Sequence, residues 1–242
     1  MDDINTQKQI IFENENKLAN IIILIPNFFI LIIFNIFKDG LLCLFLLQIY
    51  YITFPYAYNK YILKQNSLKA FFLSEFENRI QQIKYGITFG AVMFILLLLY
   101  YIFLYEFKHN MLQHLNLPIQ FSALYLFTFL IIFQFINPIL EEWFWRIFLE
   151  KYLGQKNINI IHIGYTLFHL VALLQIMSLQ LAFFFATSFF SLSRTFSYVK
   201  NNKGIISCII GHIFLSFFCG FAILDVLYIE WDHQNNIIHQ EQ

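Results

Sequence analysis

Polar and apolar positions along this chain separate into blocks rather than alternating. Six stretches of 20 or more residues contain no Asp, Glu, Lys or Arg: Leu18 to Phe37, Gly40 to Asn59, Tyr85 to Tyr105, His109 to Leu140, Asn157 to Ser193 and Gly204 to Leu224. A helix needs roughly 20 apolar residues to cross the hydrocarbon core of a bilayer, so each block predicts a membrane span. The fifth block, at 37 residues, is long enough for two spans, with a break predicted near Met177 and Ser178. The fold class that follows is all-α: a polytopic transmembrane helical bundle of about seven spans over residues 18–228. A polar N-terminal segment, residues 1–17, precedes it, and a polar tail, residues 229–242, expected to be loose, follows it.

Composition agrees. Of 242 residues, 59% are hydrophobic and 12% charged, more apolar surface than a soluble core of this length hides. The first 17 residues carry four carboxylates and two lysines, unlike the basic start of a cleavable secretion signal, so the first span is expected to stay. A net charge of zero, without a basic run, gives no support to a nucleic-acid partner. Cys43, Cys208 and Cys219 lie inside apolar blocks without metal spacing and read as packing residues. No fixed-period repeat and no flexible linker divides the chain.

Alternate loops differ sharply in basic residues. One side receives Lys8, Lys17, Lys60, Lys64, Lys69, Arg79, Lys84, Lys151, Lys156, Lys200 and Lys203, and the other only Lys38 and Lys108. Basic residues favour the cytoplasmic face, so the amino terminus is expected inside and the carboxyl terminus on the opposite side. The stretch Lys60 to Lys84 mixes basic residues with Phe71, Phe72, Leu73, Phe76, Ile80 and Ile83. It fits either an amphipathic helix on the inner leaflet or a solvated connector.

Against this background Glu141, Glu142 and Arg146 stand out at the end of a long apolar block. Each costs roughly 2.5 to 3.5 kcal/mol at midbilayer on translocon scales. Glu142 and Arg146 are four apart and share a helix face, whereas Glu141 points about 100° away, free to face a cavity. The same spacing also fits an ion cluster that merely fixes the fold. Two further blocks carry buried-type histidines at helical spacing: Tyr165 and His169 on one, with His162 on the same side, and His212 and Ser216 on the other. A membrane histidine often serves only as an interhelical hydrogen bond.

Depth brings the three together. At 1.5 Å per residue from the basic face, Glu141 lies roughly 15 Å in, His169 roughly 18 Å and His212 roughly 12 Å. A carboxylate and two imidazoles in one layer can activate water by acid/base chemistry, or they can hold a zinc ion that does so. Both readings, zinc and no cofactor, stay open from the residues alone.

These residues resemble the CAAX-processing and bacteriocin-immunity family of intramembrane endopeptidases. Glu141, Glu142 and Arg146 look like its first motif, Tyr165 and His169 its second, and His212 its third; the gaps of 28 and 43 residues between Glu141, His169 and His212 fit as well. The resemblance covers about residues 121–221. It implies a helical intramembrane protease, of which eukaryotic members trim the last three residues from prenylated CAAX proteins. It also implies Glu141 as the water-activating base, His169 as its partner, and His212 with Ser216 for the oxyanion, His212 doubling as a metal ligand if zinc is used. Glu142 and Arg146 would hold the site in shape. Tyr165 stands where Phe is usual, and Ser216 where Asn or Asp is expected. The implied partners are membrane lipid and a prenylated or membrane-embedded protein substrate, in the endoplasmic reticulum of a eukaryote or the plasma membrane of a bacterium. A catalytically silent relative serving as a membrane scaffold or immunity protein also fits, as does, with fewer features, a transporter.

Overall fold

Seven helices run through the residues described by the computed structural model, which are 21–33, 35–37, 39–62, 78–103, 123–150, 158–175 and 179–240. They are α1 (Ile21–Phe37), α2 (Gly40–Ile62), α3 (Arg79–Phe103), α4 (Ala123–Leu149), α5 (Ile158–Leu173), α6 (Leu179–Lys203) and α7 (Ile205–Gln240). Among the described residues there is no strand. This is an integral, multi-pass membrane protein.

Four stretches are both long and apolar enough to cross a membrane: Gly40–Tyr61, Arg79–Ile102, Leu124–Leu149 and Ile205–Ala222. The expectation of about seven spans therefore divides. α1 and α5 are apolar but short, at 17 and 16 residues. α6 has the length, 25 residues, but its second half carries Ser191, Ser193, Arg194, Thr195, Ser197 and Lys200. The polar stripe that lowers its hydropathy is the stripe it turns toward the other helices, with Ser193 and Ser197 buried and Tyr198 exposed.

Helix ends differ from the block boundaries in instructive ways. The fifth block does split, with α5 ending in a turn at Leu174 and Gln175 and α6 starting at Leu179; Met177 and Ser178 lie outside the described residues. α3 begins at Arg79, so the last part of the Lys60 to Lys84 segment belongs to its first turns, while residues 63–77 lie outside the described residues. α4 runs past the charged cluster to Leu149 instead of ending at Leu140. The tail expected to be loose continues α7 to Gln240, a 36-residue helix. At 1.5 Å per residue it is about 54 Å long, well beyond a ~30 Å hydrocarbon core.

α4 is not uniform, and its proline explains part of the irregularity. Pro138 has no N–H to return to the carbonyl four residues back, which loosens the preceding turn. That turn, Ile132–Ile136, is wide and π-helical, and Asn137 N–H reaches back five residues to the Ile132 carbonyl. A regular stretch, Asn137–Glu142, follows, and then a second π-helical stretch, Trp143–Leu149. Wide turns of this kind re-aim side chains and are common at functional sites.

Packing around α4 is aromatic. Trp145, Phe144, Phe148, Tyr51 and Tyr165 are all essentially inaccessible, with Tyr51 and Phe144 ring centroids 4.8 Å apart. The residues left exposed, such as Ile80, Ile87, Ile95 and Leu99 on α3, are apolar as a lipid-facing surface demands. α7 packs closely on α3 because both present small residues: a Cβ on Gly86 would lie 2.9 Å from Ser207 Cα, and one on Gly90 2.5 Å from the Phe214 ring. Gly86 and Gly90 form a Gly-x-x-x-Gly pair, the spacing that lets membrane helices approach backbone to backbone. The turn from α6 into α7 is made by Gly204 at φ +89°, a conformation that favours glycine. Beside it Gln82 caps α7: its Oε1 accepts from Ile206 N–H at 3.0 Å and its carbonyl accepts from the Ser207 hydroxyl at 2.8 Å.

Candidate functional site

The middle of α4 contributes two ladders at four-residue spacing. Asn137 Nδ2 donates to Glu141 Oε2 at 2.9 Å. On the neighbouring ladder, Arg146 Nε donates to Glu142 Oε2 at 3.2 Å, and Arg146 Nη1 lies 3.6 Å from Glu150 Oε1. Glu142 and Arg146 thus pair as their spacing predicts. The pairing extends to α6, where Ser197 Oγ accepts from Arg146 Nη1 at 3.4 Å and donates to Glu150, and Lys200 Nζ stands 3.7 Å from Glu150 Oε2. Arg146 is fully buried with its guanidinium 4.8 Å from the Tyr165 ring centroid, a cation over an aromatic face.

Glu141 faces two imidazoles. His169 Nε2 is 3.8 Å from Glu141 Oε1, and His212 Nε2 is 3.6 Å from Glu141 Oε2. Both rings are fixed by the opposite nitrogen. His169 Nδ1 sits 2.9 Å from the Tyr165 carbonyl one turn earlier, and a carbonyl only accepts, so that nitrogen carries the hydrogen. His212 Nδ1 sits 2.7 Å from Glu142 Oε1 and donates to the carboxylate in the same way. Each histidine therefore turns Nε2 toward Glu141. Aromatic faces complete the walls: Phe189 stacks on His169 at 4.1 Å and Phe196 on His212 at 5.3 Å.

Acceptors converge here without donors between them. When neutral, the Nε2 atoms are lone pairs, and Glu141 Oε1 is buried with no hydrogen-bond partner. Water suits such a gap, because two groups 3.8 Å apart, as His169 Nε2 and Glu141 Oε1 are, can share it. At an ordinary ~2.8 Å contact the two would subtend about 85° at the water oxygen. Exposure picks out one edge of the cluster: the His169 side chain keeps 16% of its surface, against 2% for Glu141 and 6% for His212. Zinc is a poorer match to this donor set. Among the described residues no group of three His, Cys, Asp or Glu is arranged to hold a metal ion, and His212 Nδ1 is already engaged by Glu142.

Glu141, Glu142, Arg146, Tyr165, His169 and His212 all come together. Ser216 is buried one turn beyond His212, but among the described residues it makes no hydrogen bond to Glu141, His169 or His212. His162 is outside the cluster, where its Nδ1 pairs with Ser193 Oγ at 2.9 Å and ties α5 to α6. Cys208, expected only to pack, has a polar role, since its thiol lies 2.9 Å from Glu142 Oε2. The sequence reading also gave no part to Asn137, Glu150 or α6. Four-residue spacing from Glu141 and from Arg146 would have flagged Asn137 and Glu150; nothing in the local pattern marks Cys208.

Residues 122–218 match the family model described as Type II CAAX prenyl endopeptidase Rce1-like. That segment spans from the start of α4 to the middle of α7 and includes every residue of the cluster, so the resemblance seen in the motifs holds over it. No curated protein and no solved structure matches the chain.

Proposed function

With the type II CAAX prenyl endopeptidase match over residues 122–218 as the premise, we propose that this chain is an intramembrane endopeptidase acting on prenylated protein tails. The observation that carries the reading is the meeting of Glu141, His169 and His212, from three different helices, at one buried polar point. Nothing in the packing of an apolar bundle requires it, and charge placed there without a purpose is costly.

A water held between Glu141 Oε1 and His169 Nε2 donates one hydrogen to each and turns its lone pair toward the substrate. Glu141 takes a proton as the oxygen attacks the peptide carbonyl carbon, giving a tetrahedral oxyanion. His212, with Nδ1–H spent on Glu142, donates from Nε2–H to that oxyanion when its ring carries both protons. Glu141 then returns the proton to the leaving nitrogen as the C–N bond breaks. The products are a shortened chain ending in the prenylated cysteine carboxylate and a free tripeptide amine. Activation of water by Glu141 and His169 alone is the form of the mechanism that the donor geometry supports best, and no step in it passes through a metal. The amino terminus is placed in the cytoplasm, with the cluster in the cytoplasmic half of the membrane, on the strength of the basic-residue asymmetry.

A second reading has one observation in its favour. Ser216 brings a short hydroxyl where the family resemblance expects an amide, and it does not bond to the cluster, which fits a relative that binds prenylated tails without cutting them. Purified protein incubated with a farnesylated peptide ending in a CAAX sequence separates the two. Loss of three residues by mass spectrometry supports the protease; retention of an uncut peptide on the protein supports the silent binder.

A further inference from the structure

We infer that Asn137 is a positioning residue that selects Oε1 of Glu141 as the proton-accepting oxygen; this rests on the protease reading. Glu141 has two carboxylate oxygens with unlike surroundings. Oε2 accepts from Asn137 Nδ2 at 2.9 Å and has His212 Nε2 at 3.6 Å. Oε1 has no hydrogen-bond partner, is buried, and looks toward His169 Nε2 at 3.8 Å, on the one edge of the cluster that stays open. A carboxylate can rotate about its terminal bond and exchange the two oxygens. The Asn137 bond opposes that exchange and keeps one oxygen occupied.

Asn137 is itself held. It is 8% exposed and lies one turn before Glu141 on the same face, so its amide reaches the carboxylate without bending either side chain out of place. Its backbone N–H bonds the Ile132 carbonyl five residues back, and Pro138 follows it. The wide turn and the proline together set where Asn137 falls around the helix relative to Glu141, giving the irregularity of α4 a chemical consequence. An amide is suited to the task because it donates without bringing a charge beside the base.

The test compares wild type with Asn137→Leu, Asn137→Gln and Glu141→Gln on the farnesylated CAAX peptide, with kcat and KM measured separately. Asn137→Leu has nearly the same volume and no donor, and it is expected to lower kcat roughly ten- to a hundredfold with KM within about twofold. Asn137→Gln keeps the amide and recovers part of the rate. Infrared difference spectra against Glu141→Gln locate the Glu141 carboxyl stretch, and that band is expected to move in Asn137→Leu. Unchanged kcat in Asn137→Leu, a loss confined to KM, or an unmoved band overturns the inference while Glu141→Gln remains inactive. If Glu141→Gln cuts as fast as wild type, or wild type cuts nothing, the protease reading falls first and this one with it.

Discussion

Replacing Arg146 by leucine separates the part of the cluster that holds its shape from the part that does chemistry. The guanidinium is fully buried and serves three partners: Glu142 at 3.2 Å, Glu150 at 3.6 Å and the Ser197 hydroxyl at 3.4 Å. Removing one member of a buried ion pair strands the other and costs about 3 to 5 kcal/mol. Here the stranding is incomplete, since Glu142 keeps His212 Nδ1 and the Cys208 thiol, and Glu150 keeps Lys200. The lower end, about 3 kcal/mol, is therefore expected for Arg146→Leu. The double variant Arg146→Leu with Glu142→Leu removes the pair together and should recover a good part of that loss, because apolar side chains of similar volume replace a buried pair at little cost. Reversible unfolding in mixed micelles reads both quantities. An Arg146→Leu variant within about 1 kcal/mol of wild type, or a double variant no more stable than the single, would refute the reasoning.

Three further substitutions probe the frame around the site. Tyr165→Phe deletes a buried hydroxyl that has no hydrogen-bond partner and keeps the ring under Arg146, so stability should hold or rise by up to about 1 kcal/mol and activity should persist; a large loss of either in the same assays would mean the hydroxyl is used. Gly86→Leu drives a side chain into the Ser207 backbone and should separate α3 from α7, lowering the thermal midpoint in detergent by far more than Gly86→Ala does. Asp39→Ala removes the cap of α2, where Asp39 Oδ1 accepts from Leu41 N–H at 2.9 Å, Leu42 N–H at 3.1 Å and the Tyr125 hydroxyl at 2.7 Å, and should cost about 1 kcal/mol at neutral pH. Burial pushes that carboxyl up, but the bonds from Leu42, Tyr125 and Leu41 outweigh it and hold it below the usual carboxylate range. The contribution is then complete above the ordinary carboxylate pKa of about 3.9 and fades as pH falls through the lower folded value, so unfolding of Asp39→Ala and wild type should converge in acid.

Much of this was legible from charge alone, and what was missed has physical causes. Glu141, Glu142 and Arg146 declare themselves because ionisable groups are expensive in lipid, and depth along three helices brings His169 and His212 to the same layer. Ending a helix at its first charge, however, fails when the charges are paired inside the bundle: α4 runs nine residues past Leu140, to Leu149, because Glu142 and Arg146 neutralise each other. α6 was cut short at Ser193 for the same reason, since Ser197 and Lys200 face Glu150 rather than water. Cys208 was unreadable, because a thiol's partner lies on another helix, 66 residues away in sequence. The proline-widened turn before Asn137 could be suspected from Pro138, but where it aims the amide is a property of the folded helix.

The most direct test of the central claim, that Glu141 and His169 activate water for peptide cleavage, is the rate of tripeptide release from a farnesylated CAAX peptide by wild type, Glu141→Gln and His169→Ala, each shown to unfold like wild type. Release by wild type, with Glu141→Gln and His169→Ala slower by at least about a hundredfold, is the predicted result. Release that persists unchanged in Glu141→Gln would contradict the account.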